Sequence, residues 1–219
     1  MPTTSKNLSN RSDLKYWRSR GIEDTSYQRQ AQTTWWSVLG GIAIGILVTQ
    51  ISPVLDALKT AQWYTLLYFL ATLLIVTYSW IQTSWGSLIL RWPITIPGSL
   101  SLLVTTMACA FASLNLNNPP AWMASLTVAA LSSFFMQYYF FLSGAWDVFS
   151  VDMRKRYKKS LWIYGGLVVV VAAFTVHLFL VPNETTFIIY SIISLVFSIG
   201  LLIWQHESME AEKREMRVP

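Results

Sequence analysis

Long runs of apolar residues, separated by short polar or charged segments, dominate this chain of 219 residues. A helix needs about 20 residues to cross the hydrocarbon core of a bilayer. Backbone polar groups must be satisfied within the segment there, so runs of this length are predicted to be helices. Six spans are predicted, at about residues 35–54, 63–82, 94–114, 121–144, 161–181 and 186–205. The expected fold is all-α, a polytopic transmembrane helix bundle over residues 35–205.

The segments between the spans are predicted to be turns and loops. Residues 117–120 read Asn-Asn-Pro-Pro and divide an uncharged stretch that is too long for one span, because Asn and Pro favour turns and Pro suits the first turn of a helix. A short loop holding Asp56 and Lys59 is predicted after the first span, and a charged loop before the fifth. Residues 83–92 fit two interpretations: a continuation of the second helix, or a segment lying at the membrane interface.

The distribution of Lys and Arg predicts the orientation. Cytoplasmic segments of membrane proteins carry an excess of these residues. With the N-terminus inside, 15 of the 16 basic residues are cytoplasmic and only Lys59 lies outside. Both termini are therefore predicted to be cytoplasmic, as a basic tail over residues 1–34 and a charged tail over residues 206–219. The expected location is a bacterial inner (plasma) membrane. An organellar membrane is the alternative, because residues 1–21 are rich in Ser, Thr, Lys and Arg.

Composition and charge agree with a membrane protein. The chain is 53% hydrophobic and 12% charged, whereas soluble domains carry about 25% charged residues. A net charge of +5 suits either nucleic acid or an anionic membrane surface; the position of the charges favours the membrane, and no nucleic acid partner is expected. A basic cluster directly before the fifth span is a candidate contact for anionic lipid or a partner protein, besides being a topology signal. It comprises Arg154, Lys155, Arg156, Lys158 and Lys159.

Small residues recur at helical spacing in three of the predicted spans. Such residues let membrane helices approach closely. These stripes therefore indicate helix packing within the chain, a homo-oligomer interface, or a polar path lined by hydroxyl groups and a glutamine. They are Ser37, Gly41 and Gly45 in the first span, Ser125, Ala129, Ser133 and Gln137 in the fourth, and Ser191, Ser194 and Ser198 in the sixth.

Residues that carry chemistry are scarce. No Asp, Glu, Lys or Arg falls within the predicted spans, and His177 lies near the outer interface, where a structural role is expected. Cys109 lies in an apolar run and is interpreted as a small core residue. Asp147 and Asp152 precede the basic cluster, so salt bridges are favoured over a divalent-ion site. No catalytic residue, metal site or cofactor is predicted.

The resulting expectation is a non-catalytic accessory or scaffold subunit of a membrane assembly, because the spans hold no charge that chemistry would need. The alternative is an oligomeric channel, pore or small transporter for neutral or weakly polar solutes, which the hydroxyl and amide stripes favour. A membrane enzyme that uses residues outside the spans, such as Asp147, Asp152 and His206, is a third possibility. The expected partners are the lipid bilayer, anionic lipid at the cytoplasmic face, and a second copy or another membrane protein.

Overall fold

The structure, a computed structural model, describes residues 26–88, 96–142 and 151–216. Almost all of these residues are helical, the exceptions lying in short turns, and no strand occurs among them. Six helices are long and apolar enough to cross a membrane, so the predicted all-α membrane architecture is confirmed at this level. In chain order the helices are α1 (Ser26–Thr49), α2 (Ile51–Lys59), α3 (Trp63–Leu88), α4 (Ile96–Leu114), α5 (Pro119–Leu142), α6 (Val151–Leu180) and α7 (Glu184–Met216).

The first of the long apolar helices has a break near its C-terminal end. α1 stops at Thr49, and Gln50 separates it from the short helix α2. Pro53 explains the position of the break, because proline has no N–H to bond the carbonyl four residues earlier and its ring clashes with that carbonyl. The predicted loop at Asp56 and Lys59 was wrong. Both residues lie in α2, where their side chains form an exposed salt bridge of 2.7 Å.

Two asparagines cap the N-termini of the helices that follow the short turns, α5 and α7. The side-chain oxygen of Asn183 accepts hydrogen bonds from the backbone N–H of Thr186 (2.8 Å) and from its hydroxyl (2.9 Å). The side-chain oxygen of Asn118 likewise accepts a hydrogen bond from the backbone N–H of Ala121, at 3.3 Å. Each asparagine therefore satisfies a backbone donor that the first turn of a helix leaves unpaired.

Four helices extend well beyond the spans expected from hydropathy. α1 begins at Ser26, so residues 26–34 of the predicted N-terminal tail are helical. α3 continues to Leu88, so residues 83–88 extend the second spanning helix, and residues 89–92 lie outside the described part of the chain. α6 starts at Val151, so the basic cluster is helical and the loop predicted over it was wrong. α7 has 33 residues, about 50 Å at ~1.5 Å per residue. That exceeds the ~30 Å hydrocarbon core.

The helices do not pack in a simple ring. α3 packs mainly on α7, α4 on α5, and α5 on α6, while α1 packs on both α3 and α4. Although α6 and α7 are joined by a short turn, they hardly touch each other. The bundle has a basic end, where α6 begins and α7 finishes, and a turn end, formed by the connections before α5 and α7. The gap between α6 and α7 positions the site described below.

A buried aromatic cluster holds the turn end together. The indole N–H of Trp122 donates to the hydroxyl of Thr72 (2.8 Å), which donates to the carbonyl of Tyr68 (2.7 Å). The hydroxyl of Tyr68 then donates to the carbonyl of Phe187 (3.1 Å). The side chains of Tyr68 and Thr72 on α3 and of Trp122 on α5 are fully buried. Because each polar atom has a partner, three helices are joined without an unsatisfied group in this chain of bonds.

Small side chains bring α1, α3, α4 and α5 together in the middle of the bundle. One buried cluster combines Ala43, Val76, Ala108, Cys109 and Ala129. Cys109 is 2% exposed and unpaired as a thiol, in agreement with its interpretation as a small core residue. Close approach through small residues is a common way for membrane helices to pack.

Candidate functional site

A large apolar cavity lies inside the bundle. It has a volume of about 460 Å³ and walls from α3, α4, α5, α6 and α7. Most wall side chains are aliphatic or aromatic, and hydroxyl groups of Tyr78, Thr105, Ser133 and Ser194 are interspersed among them. Cavities lined in this way stay dry or hold apolar molecules, because water needs several polar partners.

The cavity opens sideways between α6 and α7. Ile163 and Val170 on α6 and Ile193 and Phe197 on α7 line it, yet they are 39–48% exposed. A second groove of about 280 Å³ shares Ile163, Leu167, Phe197 and Leu201 with the cavity and includes Gly200. Together the cavity and this groove are here called the lateral cleft. At the depth of the membrane-spanning helices, such an opening faces lipid rather than water.

The length of the lateral cleft is comparable to one leaflet of a bilayer. Its α6 wall runs from Ile163 to Phe174, which corresponds to about 16 Å at ~1.5 Å per residue. The hydrocarbon core of a bilayer is ~30 Å thick. The cleft is therefore about half as long as the hydrocarbon core is thick.

Two tyrosines and a glutamine form the floor of the cavity toward the basic end. The hydroxyl groups of Tyr78 and Tyr164 hydrogen-bond to each other, and the amide N–H of Gln82 donates to the Tyr164 hydroxyl at 2.9 Å. Both tyrosines are buried. Because the bond joins α3 to α6 beside the cleft, it connects two helices that do not pack extensively on each other.

A small polar pocket follows directly below this floor. It encloses about 40 Å³ and shares Tyr164 with the cavity. That volume exceeds the ~10–15 Å³ needed for one water, so the pocket has room for a small polar group. Gln137 lines it and is 6% exposed, and within the described chain its side-chain amide makes no hydrogen bond. Its amide is open to the pocket rather than enclosed by protein, because the fully buried polar atoms without a partner among the described side chains are the Trp36 indole nitrogen and the Thr65 hydroxyl. The pocket therefore presents this amide to a polar occupant.

The far wall of the polar pocket is held by a buried carboxyl group. Glu212 is 4% exposed. It accepts a hydrogen bond from the Trp85 indole (2.5 Å) and another from the Tyr157 hydroxyl (3.1 Å). These bonds connect the ends of α3 and α7 to the start of α6. The pocket thus has a fixed polar wall at the basic end of the cleft.

The basic cluster lies on the first turns of α6, next to this pocket. Lys155, Arg156, Lys158 and Lys159 are exposed, and Arg154 is half-buried. Lys159 is four residues before Ile163 and therefore lies on the stripe of α6 that continues into the cleft. Lys158 is four residues before Trp162, which is 75% exposed and lines neither the cavity nor the groove. Neither lysine lines the cavity, the groove or the polar pocket; helical spacing places Lys159 on the face of α6 that continues into the cleft and Lys158 on the face that carries Trp162.

The small-residue stripes fall in different environments. Ser37, Gly41 and Gly45 are exposed on α1, and a methyl group added at either glycine would meet no other atom within 4 Å. A contact within the chain is therefore not supported for this stripe, and contact with another chain stays a prediction. The α7 stripe of Ser191, Ser194 and Ser198 is buried.

The α5 stripe reaches both spaces. Ala129 and Ser133 line the apolar cavity, Gln137 lines the polar pocket, and Ser125 is half-buried with its hydroxyl bonded to the carbonyl of Ala121 at 2.9 Å. Sequence spacing alone had left packing and lining as alternatives for these residues, and the structure puts three of the four on cavity walls.

The other residues considered from sequence lie apart from the cleft. His177 is near the turn end, where its ring nitrogen Nδ1 is 3.1 Å from the Tyr190 hydroxyl. His206 is exposed near the basic end. Asp147 lies outside the described residues, as do most of the N-terminal tail and Arg91, and the side chain of Asp152 is not described.

Sequence reasoning missed the tyrosines of the cavity floor and the buried Glu212. Tyr78 and Tyr164 lie in apolar runs, where a tyrosine reads as an ordinary aromatic. Glu212 lies in a charged tail that resembles a solvated helix. The available signal was Tyr157, the one aromatic residue among the five basic residues of the cluster. It marks the face of α6 that lines the polar pocket.

Comparisons of the chain with known protein families, with curated proteins and with solved structures each gave no match. The interpretation of the site therefore rests on its geometry.

Proposed function

We propose that this protein is a non-catalytic subunit or scaffold of a membrane assembly, and that its bundle holds a hydrophobic molecule taken from the bilayer in the lateral cleft. The observation that carries the proposal is the separation of α6 from α7, which leaves an apolar cavity of about 460 Å³ open at the depth of the lipid chains. The wall side chains are suited to van der Waals contact rather than to bond making or breaking.

The proposed setting is a bacterial inner membrane with both termini in the cytoplasm. This orientation is supported by the 15 of 16 basic residues on one side of the predicted topology. The basic end of the bundle would then face the cytoplasm, and the turn end the opposite compartment.

Filling the groove with a side chain tests the proposal. A methyl group at Gly200 would meet no atom within 4 Å, so Gly200→Phe should fill the groove without disturbing the fold. Gly166→Phe is the matched control, because Gly166 is equally unobstructed but lines neither space. Native mass spectrometry of protein purified in mild detergent should show a bound mass on the wild type and on Gly166→Phe, and much less on Gly200→Phe. Equal retention by all three proteins would contradict the proposal.

A transporter for weakly polar solutes is the second candidate. The observation that favours it is the adjacency of the apolar cavity and the polar pocket, which share Tyr164 as a lining residue. Passage between them would require the bond between Tyr78 and Tyr164 to open. Flux of a neutral solute into proteoliposomes, increased by Tyr78→Phe, would favour this candidate over a static binding role.

A further inference from the structure

We propose that the occupant of the lateral cleft is an anionic phospholipid, with one acyl chain in the cavity, its ester region at the polar pocket, and its headgroup at Lys159. This inference rests on the proposed function, which requires only that some hydrophobic molecule binds in the cleft. It adds the chemical class of that molecule and its orientation in the cleft, with the headgroup at the basic end.

The acyl chain follows from the position and length of the cleft. The opening between Ile163 and Phe197 faces the hydrocarbon core, where lipid chains are the surrounding medium. The apolar wall ends after about half of the core thickness, which corresponds to the extent of a single leaflet. A chain entering from the basic end would therefore fill the cavity up to Phe174 and Met123, where the aromatic cluster of the turn end closes it.

The ester region follows from the polar pocket at the mouth of the cavity. The Gln137 amide lines this pocket and makes no side-chain hydrogen bond within the described chain. An ester carbonyl is an acceptor that its N–H₂ group can bond. Because Tyr164 and Trp204 border both the groove and the pocket, a lipid whose chain lies in the lateral cleft brings its first polar atoms to this pocket beside the Tyr78–Tyr164 bond, which stays closed.

The negative charge of the headgroup follows from the residue at the end of the α6 wall. Lys159 is exposed and lies one turn before Ile163, on the side of the basic end. A cationic side chain next to a lipid headgroup attracts a phosphate, and clusters of basic residues beside a spanning helix select anionic lipid. A zwitterionic lipid has the same chains but lacks the net negative charge. Replacing Lys159 should therefore weaken binding of the anionic lipid and leave binding of the zwitterionic lipid unchanged.

Adjacent lysines supply a matched test. Lys159→Gln and Lys158→Gln remove the same charge from neighbouring exposed positions, but Lys158 lies above the outward-facing Trp162. Native mass spectrometry would compare binding of phosphatidylglycerol and phosphatidylcholine with identical chains to the full-length protein. The wild type should prefer phosphatidylglycerol. Lys159→Gln should weaken that binding about fivefold, as expected for one charge near an anionic surface, and Lys158→Gln should change it little.

The outcomes separate this inference from the proposed function. Equal binding of both lipids, lost in Gly200→Phe and unaffected by Lys159→Gln, would overturn the anionic headgroup and leave a hydrophobic guest in the cleft. Equal weakening by both lysine variants would also overturn it, because the charge would then act through the whole basic cluster. Binding unaffected by Gly200→Phe would overturn both proposals.

Discussion

The indole nitrogen of Trp85 and the carboxyl oxygen Oε2 of Glu212 are 2.5 Å apart, although 127 residues separate them in the chain. This hydrogen bond joins the last turns of α3 and α7 at the basic end, and the Tyr157 hydroxyl adds α6 through the second carboxyl oxygen. Lys213 lies 5.6 Å from the centre of the Trp85 ring and adds a cation–π contact. The connection fixes the spacing of the helices that border the mouth of the lateral cleft.

Removing this carboxyl group should destabilise the basic end. Glu212→Ala leaves the Trp85 and Tyr157 donors, among its contacts, without their acceptor. This should lower the free energy of unfolding by at least ~2 kcal/mol, at ~1–3 kcal/mol for each orphaned buried donor. Thermal unfolding in detergent measures the effect, with Glu207→Ala as the control at an exposed position of the same helix. Equal unfolding temperatures for the two variants would show that the contact does not hold the helices together.

Neighbouring glycines on α6 should respond differently to the same substitution. A methyl group at Gly165 would already lie 3.3 Å from the Phe134 ring, whereas Gly166 has no neighbour within 4 Å. Gly165→Leu should therefore push α6 away from α5 and lower stability by about 1–3 kcal/mol, the usual cost of overpacking. Gly166→Leu should leave the unfolding temperature unchanged. If Gly165→Leu is as stable as the wild type, α5 and α6 do not pack as described.

Hydropathy was sufficient to predict the helical class and the six helices of the described chain that are long and apolar enough to span a membrane, because a bilayer permits few alternatives for long apolar runs. Helix ends were harder to predict, since a charged segment such as that from Arg154 to Lys159 can continue a helix into water. The site could not be predicted, because hydropathy does not specify which helices pack together. The spacing of Gln137 and Ser133 made them candidates for helix packing or for lining a polar path. The gap beside them arises because α6 packs on α5 and α7 packs on α3.

The predicted orientation can be tested with single cysteines in a Cys109→Ala background. Reagents that do not cross the membrane should label cysteines at Lys59, Asn118 and Glu184 in sealed cells, because these exposed residues lie at the turn end. Cysteines at Lys155 and Glu207 should be labelled only after the membrane is opened, since the basic end is expected to be cytoplasmic. Labelling of Lys155 in sealed cells would reverse the assignment.

Occupation of the lateral cleft is tested most directly by photocrosslinking at adjacent positions of α7. Phe197 lines the cavity and groove, whereas Val196 is 64% exposed and lines neither. A photoreactive amino acid at each position would be irradiated after the protein has been purified and washed in mild detergent. The proposed binding role predicts a discrete lipid adduct at Phe197 and none at Val196, because only a molecule held in the cleft survives washing. Equal adducts at both positions, or none at Phe197, would contradict it, and a protein adduct at Phe197 would show that a partner's helix fills the cleft instead.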